Sequence, residues 1–382
     1  MAVRVFMYAQ DNRGLGHVRR CAIVAEALLR RRPDAAVLLA TKSPWAPTIA
    51  AGERFDVLKL PEHLARGTLS GDERRAESSA LHRLRRVLLR EAVTHFRPDL
   101  ILIDNEPLGF RGEMLEALDA APAGCRFAFG MRDVVDDPER TAEQWANQGV
   151  PDALRERFDR IVIYGHPDLF DTLGVYGVPA PVRAKAAYGG YVCARRDDLD
   201  AGRFRAELGL DGRPLVLVTG GGGEDALALL VATIEAHALV RSPARLLLVT
   251  GPFMRPEDRA RVVALAAPAG HVVRDQADVV AAMAASQAVA TMGGYNTLAE
   301  AMMLGRRPVV VPRATHKREQ LMRAEAFAAR GLVHCLPPTK VTPALLAAAL
   351  EDEIERPTAV EAHDYLDVDG ERAAALLLET LA

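Results

Sequence analysis

Ala288-Val-Ala-Thr291-Met292-Gly293-Gly294-Tyr295-Asn296-Thr297-Leu298-Ala299-Glu300 passes through three states in one short stretch. Ala288–Thr291 is an apolar run of strand type, Gly293-Gly294 is a turn, and a helix follows. Strand, tight turn and helix in that order form the unit from which helix-covered parallel sheets are built. The same rhythm extends outward from it. In the second half it appears at Leu215–Val218, Leu246–Val249, Val272–Arg274, Val309–Val311 and Val333–Leu336. The first half repeats it at Val3–Tyr8, Ala36–Ala40, Val57–Leu60, Leu100–Asp104, Arg126–Gly130 and Ile161–Tyr164. Between the first two of these, Cys21, Val24 and Leu28 share one helix face.

Two separate runs of the pattern predict an α/β protein of two doubly wound, Rossmann-like domains facing across a cleft. Pro179, Pro181, Gly189 and Gly190 interrupt the rhythm, and Arg195-Arg196-Asp197-Asp198 is strongly polar. These signals predict domains over residues 1–190 and 191–382, with a hinge near 190–200. A last helix near Gly370–Leu381 is expected to pack back on the first domain.

A length of 382 residues suits two domains with cores of their own. Apolar residues make up 49% and charged residues 26%, which excludes wholesale disorder. A formal charge of −3 supplies no basic field, so nucleic acid is not an expected partner. Cys21, Cys125, Cys193 and Cys335 are scattered, which points to a reducing, cytoplasmic setting. The first residues read as a strand and not as a leader. The most apolar stretch, Val279–Met292, is too short to span a bilayer and is broken by Ser286 and Gln287. Arg83, Arg85, Arg86, Arg90 and Arg97 lie around Leu81, Leu84, Val87, Leu88 and Val93. Such a helix suits peripheral contact with an anionic membrane face or a solvated surface of the protein itself, and both readings stay open.

Four places carry residues suited to chemistry. After the first strand, Gly14-Leu15-Gly16-His17 opens the first helix at a sheet edge where ligands bind. An imidazole there can take a proton from an attacking hydroxyl, or can simply be satisfied locally. The sixth position counted from Gly14 is Arg19, so the dinucleotide fingerprint is incomplete. Gly220, Gly221, Gly222 and Gly223 precede a helix and offer backbone N–H groups to a phosphate at its amino terminus. Gly293 and Gly294 offer the same. Asn296 and Glu300 share a helix face, where a carboxylate can accept from two vicinal ribose hydroxyls. Thr297-x-x-Glu300 also fits a capping box. Lastly, Glu319 and Gln320 follow the strand Val309–Val311 and suit sugar hydroxyls. Asp198-Leu-Asp200 and Asp367-Val-Asp369 do not follow strands of the pattern, and neither a zinc motif nor a serine elbow occurs, so no metal and no cofactor are expected.

In this order the four sites resemble the MurG-like branch of the GT-B nucleotide-sugar glycosyltransferases over nearly the whole chain. The match is most specific in Met292–Glu300, Pro308-Val-Val-Val-Pro312 and Lys317-Arg-Glu-Gln320. The resemblance implies that Glu300 holds the ribose and that Gly293, Gly294 and Thr297 lie against the diphosphate, with Asn296 beside them. It further implies that Gly220 to Gly223 form a second phosphate loop, that Glu319 and Gln320 bind the donor sugar, and that the backbone of Val273–Asp278 reads the base. Gly14 and Gly16 are expected on the acceptor side, with His17 as catalytic base. Met131–Pro138 and Ala187–Tyr191 are similar to a bacterial group known only as predicted glycosyltransferases. The implied function is metal-independent, inverting transfer from a nucleoside-diphosphate sugar, UDP-linked, to a small-molecule or lipid-linked acceptor, in the cytoplasm or peripherally at the inner membrane face. Gly-x-Gly-His also resembles related nucleotide-sugar hydrolases, so hydrolase, epimerase and non-catalytic sugar-nucleotide binder remain as alternatives.

Overall fold

The computed structural model describes residues 2–10, 16–49, 52–62, 71–210, 212–313, 317–355 and 359–382. Gly14 lies outside them. The chain forms two compact units, Met1–Val192 with Asp367–Ala382, and Cys193–Leu366.

Among the described residues the first unit has seven parallel strands: β1 (Arg4–Ala9), β2 (Ala36–Thr41), β3 (Phe55–Lys59), β4 (Leu100–Asp104), β5 (Arg126–Arg132), β6 (Arg160–Tyr164) and β7 (Ala186–Tyr188). Their order is β3-β2-β1-β4-β5-β6-β7, so the chain starts in the middle and winds both ways. Side chains alternate between two helical layers, as a strand's period of two requires. Phe6, Tyr8, Ile101 and Ile103 pack with Leu89 and Val93 of the helix Gly71–Phe96. Asp104 points to the other layer and meets Arg20 of the helix Gly16–Arg31.

Strands β8 (Tyr191–Cys193) and β15 (Leu366–Val368) pair with each other where the chain leaves and re-enters the first unit. Three-residue strands such as β7, β8 and β15 are too short to show a period in the sequence. Of the residues that interrupt the pattern here, Gly189 N donates to Ile163 O at 2.8 Å and Gly190 N to Gly165 O at 3.0 Å.

The second unit contains β9 (Leu215–Thr219), β10 (Arg245–Val249), β11 (Val272–Arg274), β12 (Ala288–Thr291), β13 (Val309–Val310) and β14 (His334–Cys335). These are parallel in the order β11-β10-β9-β12-β13-β14. Alternation again feeds two cores. Val216, Val218, Leu246 and Leu248 meet Leu230 and Leu350 on one face, while Leu215, Leu217, Leu247 and Val249 meet Met283 and Ala301 on the other.

The last helix, Glu371–Glu379, belongs to the first unit and packs on the helix Gly16–Arg31. The Asp367 side chain, in β15, accepts from its first turn, from Arg372 N at 2.8 Å and Ala373 N at 3.0 Å. Burial pushes this carboxyl up to about 6, although the two amides work against that. The folded value exceeds the unfolded one, so the native state holds a proton that the unfolded chain has released. Stability from this group is therefore present at about pH 4 and lost as the pH rises through 6. The Tm of the wild type minus that of Asp367→Asn should fall between pH 4 and 6; a constant difference contradicts this.

Candidate active site

In each sheet the chain reverses its winding next to the first strand, and the loops leaving the two central strands diverge there. Crevices for ligands form at such points, beyond the carboxyl ends of the strands. In the first unit the point lies between β1 and β4, and in the second between β9 and β12.

His17 follows β1 at the start of the helix Gly16–Arg31, and Asp104 is the last residue of β4. His17 Nδ1 stands 2.5 Å from Asp104 Oδ2. An ionised carboxylate only accepts, so Nδ1 carries the hydrogen and Nε2 is left as the basic nitrogen. Arg20, one turn along, donates from Nε and Nη2 to Asp104 Oδ1 at 3.2 and 2.8 Å and from Nη2 to Oδ2 at 2.8 Å. Its guanidinium lies 4.6 Å from the centre of the Tyr164 ring. Arg20 Nη2 is also 2.9 Å from His17 Nδ1. Both are donors in this tautomer, so they converge on one carboxylate instead of bonding each other. Burial acts to raise the Asp104 carboxyl, but Arg20 and His17 outweigh it and hold it below the ordinary value. His17 thus has a fixed tautomer and remains 16% exposed.

The sequence pointed to His17 and Gly16 but missed Asp104. Its one local signal was a carboxylate closing the apolar run Leu-Ile-Leu-Ile. The pairing itself spans 87 positions.

In the second unit Gly223, with φ +95°, turns against the loop after β10, where a Cβ would stand 2.0 Å from Thr250 O. Phe253 N donates to Gly222 O at 2.9 Å. The next helix, Leu227–His237, begins only after Ala226. Gly220 to Gly223 thus precede a helix that begins at Leu227, and they pack against Thr250–Phe253. The loop remains at the crevice edge, and a Cβ on Gly221 would meet nothing within 4 Å.

Gly293, with φ +81°, lets the chain pass under Val310, whose Cγ1 would be 2.8 Å from a Cβ. Gly294 then caps the helix Tyr295–Met303 without a side-chain bond. The amide groups of its first turn, which includes Asn296 and Thr297, open beyond β12. Thr297 is the third helical residue, so the capping-box alternative does not hold: the helix starts before it, and Glu300 is too far along to reach the cap. Glu300 is buried, at 6% exposure. Arg323, also buried, donates to Gly293 O at 3.3 Å and stands 5.8 Å from the Tyr295 ring centre, steadying that turn.

Glu319 and Gln320 are the first residues of the helix Glu319–Ala328 and not loop residues. Arg313 joins them to the glycine loop. Its N donates to Gln320 Oε1 at 3.0 Å, and its guanidinium reaches Asp225 at 3.2 Å and Glu319 at 3.4 Å. Arg313 and Arg323 were not among the residues singled out from sequence. Asp278, in the segment expected to read the base, caps the helix Val279–Ala284 and pairs with Arg196 at 2.8 Å.

One group of described residues, His334, Asp352 and Glu353, is close enough to share a metal. His334 begins β14, at the edge away from the crevice, and Arg307 bonds both carboxylates. Arg85, expected on a basic surface, is buried and donates to Glu113 at 2.7 Å because it faces the sheet.

Gly223→Ala should cost roughly 2–4 kcal/mol, since strain and clash add there. Thr297→Ala should cost under about 0.5 kcal/mol because it caps nothing. Denaturant unfolding checks both, and the reverse order would contradict the geometry.

Residues 215–366 match the family described as the glycosyltransferase family 28 C-terminal domain. A UDP-N-acetylglucosamine--N-acetylmuramyl-(pentapeptide) pyrophosphoryl-undecaprenol N-acetylglucosamine transferase of Methylobacterium sp. (strain 4-46) is 30% identical over 217 residues. That stretch covers 54% of this chain and 58% of the relative, under two thirds of its length. The fold is similar to that of the kitacinnamycin glycotransferase, with a TM-score of 0.65 at 17% identity over 100% of both chains. It is also similar to MurG of Acinetobacter baumannii, with a TM-score of 0.60 at 14% identity over 99% of this chain and 100% of the other. Residues 215–366 are thus similar to the glycosyltransferase family 28 C-terminal domain, and the fold of the chain is that of solved glycosyltransferases.

Proposed function

We propose that the protein moves a sugar from a UDP-linked donor to an acceptor hydroxyl by a single, inverting displacement that needs no metal. The observation that carries this reading is the oriented base: His17, with Nδ1 held by the buried, Arg20-neutralised Asp104 at the crevice of the first sheet. His17 Nε2 takes the proton of the acceptor hydroxyl as its oxygen bonds to the anomeric carbon and the diphosphate departs. The imidazolium formed gains directly from Asp104. Gly16 flanks the acceptor.

The second unit binds the donor. Amide groups at Gly293, Gly294, Asn296 and Thr297, with the loop Gly220 to Gly223, receive the diphosphate, and the helix dipole favours its charge by on the order of 1 kcal/mol. Glu300 accepts from the ribose hydroxyls, while Glu319 and Gln320 hold the sugar. In this reading the backbone donors take the place of a cation.

His17→Ala should lower turnover about 10²-fold or more while nucleotide binding in calorimetry is unchanged. Glu300→Ala should weaken UDP binding about tenfold or more. Normal turnover in the first, or normal binding in the second, contradicts the assigned roles. Free sugar released as fast without acceptor as with one would mark a hydrolase instead.

No helix among the described residues is long and apolar enough to cross a membrane. On the helix Gly71–Phe96, Leu84 is 46% and Val87 is 43% exposed between exposed Arg83 and Arg90. That strip supports peripheral contact with anionic lipid and hence a lipid-linked acceptor. Sedimentation with phosphatidylglycerol vesicles should weaken in Leu84→Glu/Val87→Glu; equal binding of the variant, or none by the wild type, contradicts it.

A further inference from the structure

Asp225, two residues beyond the loop Gly220 to Gly223, and Arg313, three residues beyond β13, belong to segments that leave different strands of the second sheet. β12 lies between β9 and β13, so those strands stand two spacings or about 10 Å apart. Arg313 Nη1 nevertheless donates to Asp225 Oδ2 at 3.2 Å. The two side chains thus bridge the glycine loop after β9 and the turn after β13. Gly293, in the turn after β12, is close by: a Cβ there would stand 3.7 Å from the O of Gln320, whose Oε1 accepts from Arg313 N at 3.0 Å.

The bridge is firm at one end and loose at the other. Besides the backbone bond to Gln320, Arg313 donates from Nη2 to Glu319 Oε1 at 3.4 Å. Asp225 takes a single N–H of the guanidinium, and its side chain is 55% exposed. Exposed ion pairs of this kind hold weakly. Arg313 Nε is buried and has no hydrogen-bond partner among the described residues. A buried donor left unmet is costly, so the pairing with Asp225 leaves the guanidinium short of what it can bond. A phosphate offers it more, because two parallel N–H donors can meet two oxygens at once.

Room for a phosphate lies next to the bridge. A Cβ on Gly221 or on Gly294 would meet nothing within 4 Å, so each glycine turn borders open space. A diphosphate received by those turns comes within reach of Arg313 and competes with the Asp225 carboxylate, a group of its own sign, for the same guanidinium. Asp225 can yield at little cost, since its side chain is already largely in solvent.

We infer that Asp225 holds Arg313 in the place of the donor: when the donor binds, the guanidinium passes from the Asp225 carboxylate to the diphosphate, and the pair is a strap that the donor opens. The inference rests on the donor-binding reading of the second unit and adds the regulation of that site. Glu319 stays on Nη2 throughout, so the release of Asp225 is tied to one of the two residues assigned to the sugar.

Calorimetric titration of UDP into the wild type, Asp225→Asn, Arg313→Met and the double variant tests the exchange. Asp225→Asn removes the competitor and should tighten UDP binding about threefold or more. Arg313→Met keeps the backbone bond to Gln320 but removes the guanidinium, and should weaken binding about tenfold or more. Asp225 acts only through Arg313, so in the double variant the gain should vanish and the affinity should match that of Arg313→Met within about twofold. A gain of equal size in both backgrounds would mean that Asp225 merely repels the diphosphate, and it overturns the inference. Unchanged binding in Asp225→Asn alone does so too, and that substitution sits at an exposed position where the fold does not depend on it. A wild type that binds no UDP removes the donor reading itself, whereas four equal affinities remove only the strap.

Discussion

Everything functional in this protein depends on one constraint of parallel sheets: all strands deliver their carboxyl ends to the same edge. Where winding reverses, the crossovers leave in opposite directions and uncover that edge. Each unit has one such place, beside β1 in the first and β9 in the second. The loop after β1 and the end of β4 bring His17 to Asp104. The loops after β9 and β12 bring the two glycine turns to neighbouring strands. Gly223 and Gly293 are required there for plain steric reasons, since a Cβ would stand 2.0 Å from Thr250 O in one case and 2.8 Å from Val310 in the other. The backbone amides of the crevice rest on these close approaches.

Electrostatics decides what the residues at that edge can do, and two aspartates show how. Asp104 and Asp367 are both buried, at 0% and 1% exposure. Asp367 has backbone amides as partners, and burial wins, taking its carboxyl up to about 6. Asp104 has a guanidinium on both oxygens and an imidazole beside it, and the charges win. Dipoles offset part of the desolvation cost, while full charges at 2.8 Å reverse it. The carboxylate beside His17 therefore stays ionised and keeps the ring in one tautomer. Arg20 matters for catalysis in the proposed scheme through Asp104, without touching a substrate.

Local patterns made much of this legible before any coordinates. The strand, turn and helix rhythm follows from side-chain period, and the glycine runs at 220–223 and 293–294 announced unusual backbone. Interactions set by tertiary packing were not legible. Asp104 meets His17 across 87 positions, and nothing in Leu-Ile-Leu-Ile-Asp says which helix will cover it. Arg85 looked like one of several surface arginines until its face of the helix turned toward Glu113. The capping box at Thr297 failed because the motif carries no information about where the helix begins. Gly294, three residues earlier, had already taken that place.

The central claim is that a nucleoside diphosphate sits at the reversal point of the second sheet, its phosphates on the turns after β9 and β12 and its ribose on Glu300. A crystal structure of the protein grown with UDP tests this most directly. The account predicts diphosphate density within hydrogen-bond distance of amides in 220–223 and 293–297, with the ribose hydroxyls on the Glu300 carboxylate. UDP bound elsewhere, or an occupied crevice in which the ribose does not touch Glu300, would contradict it.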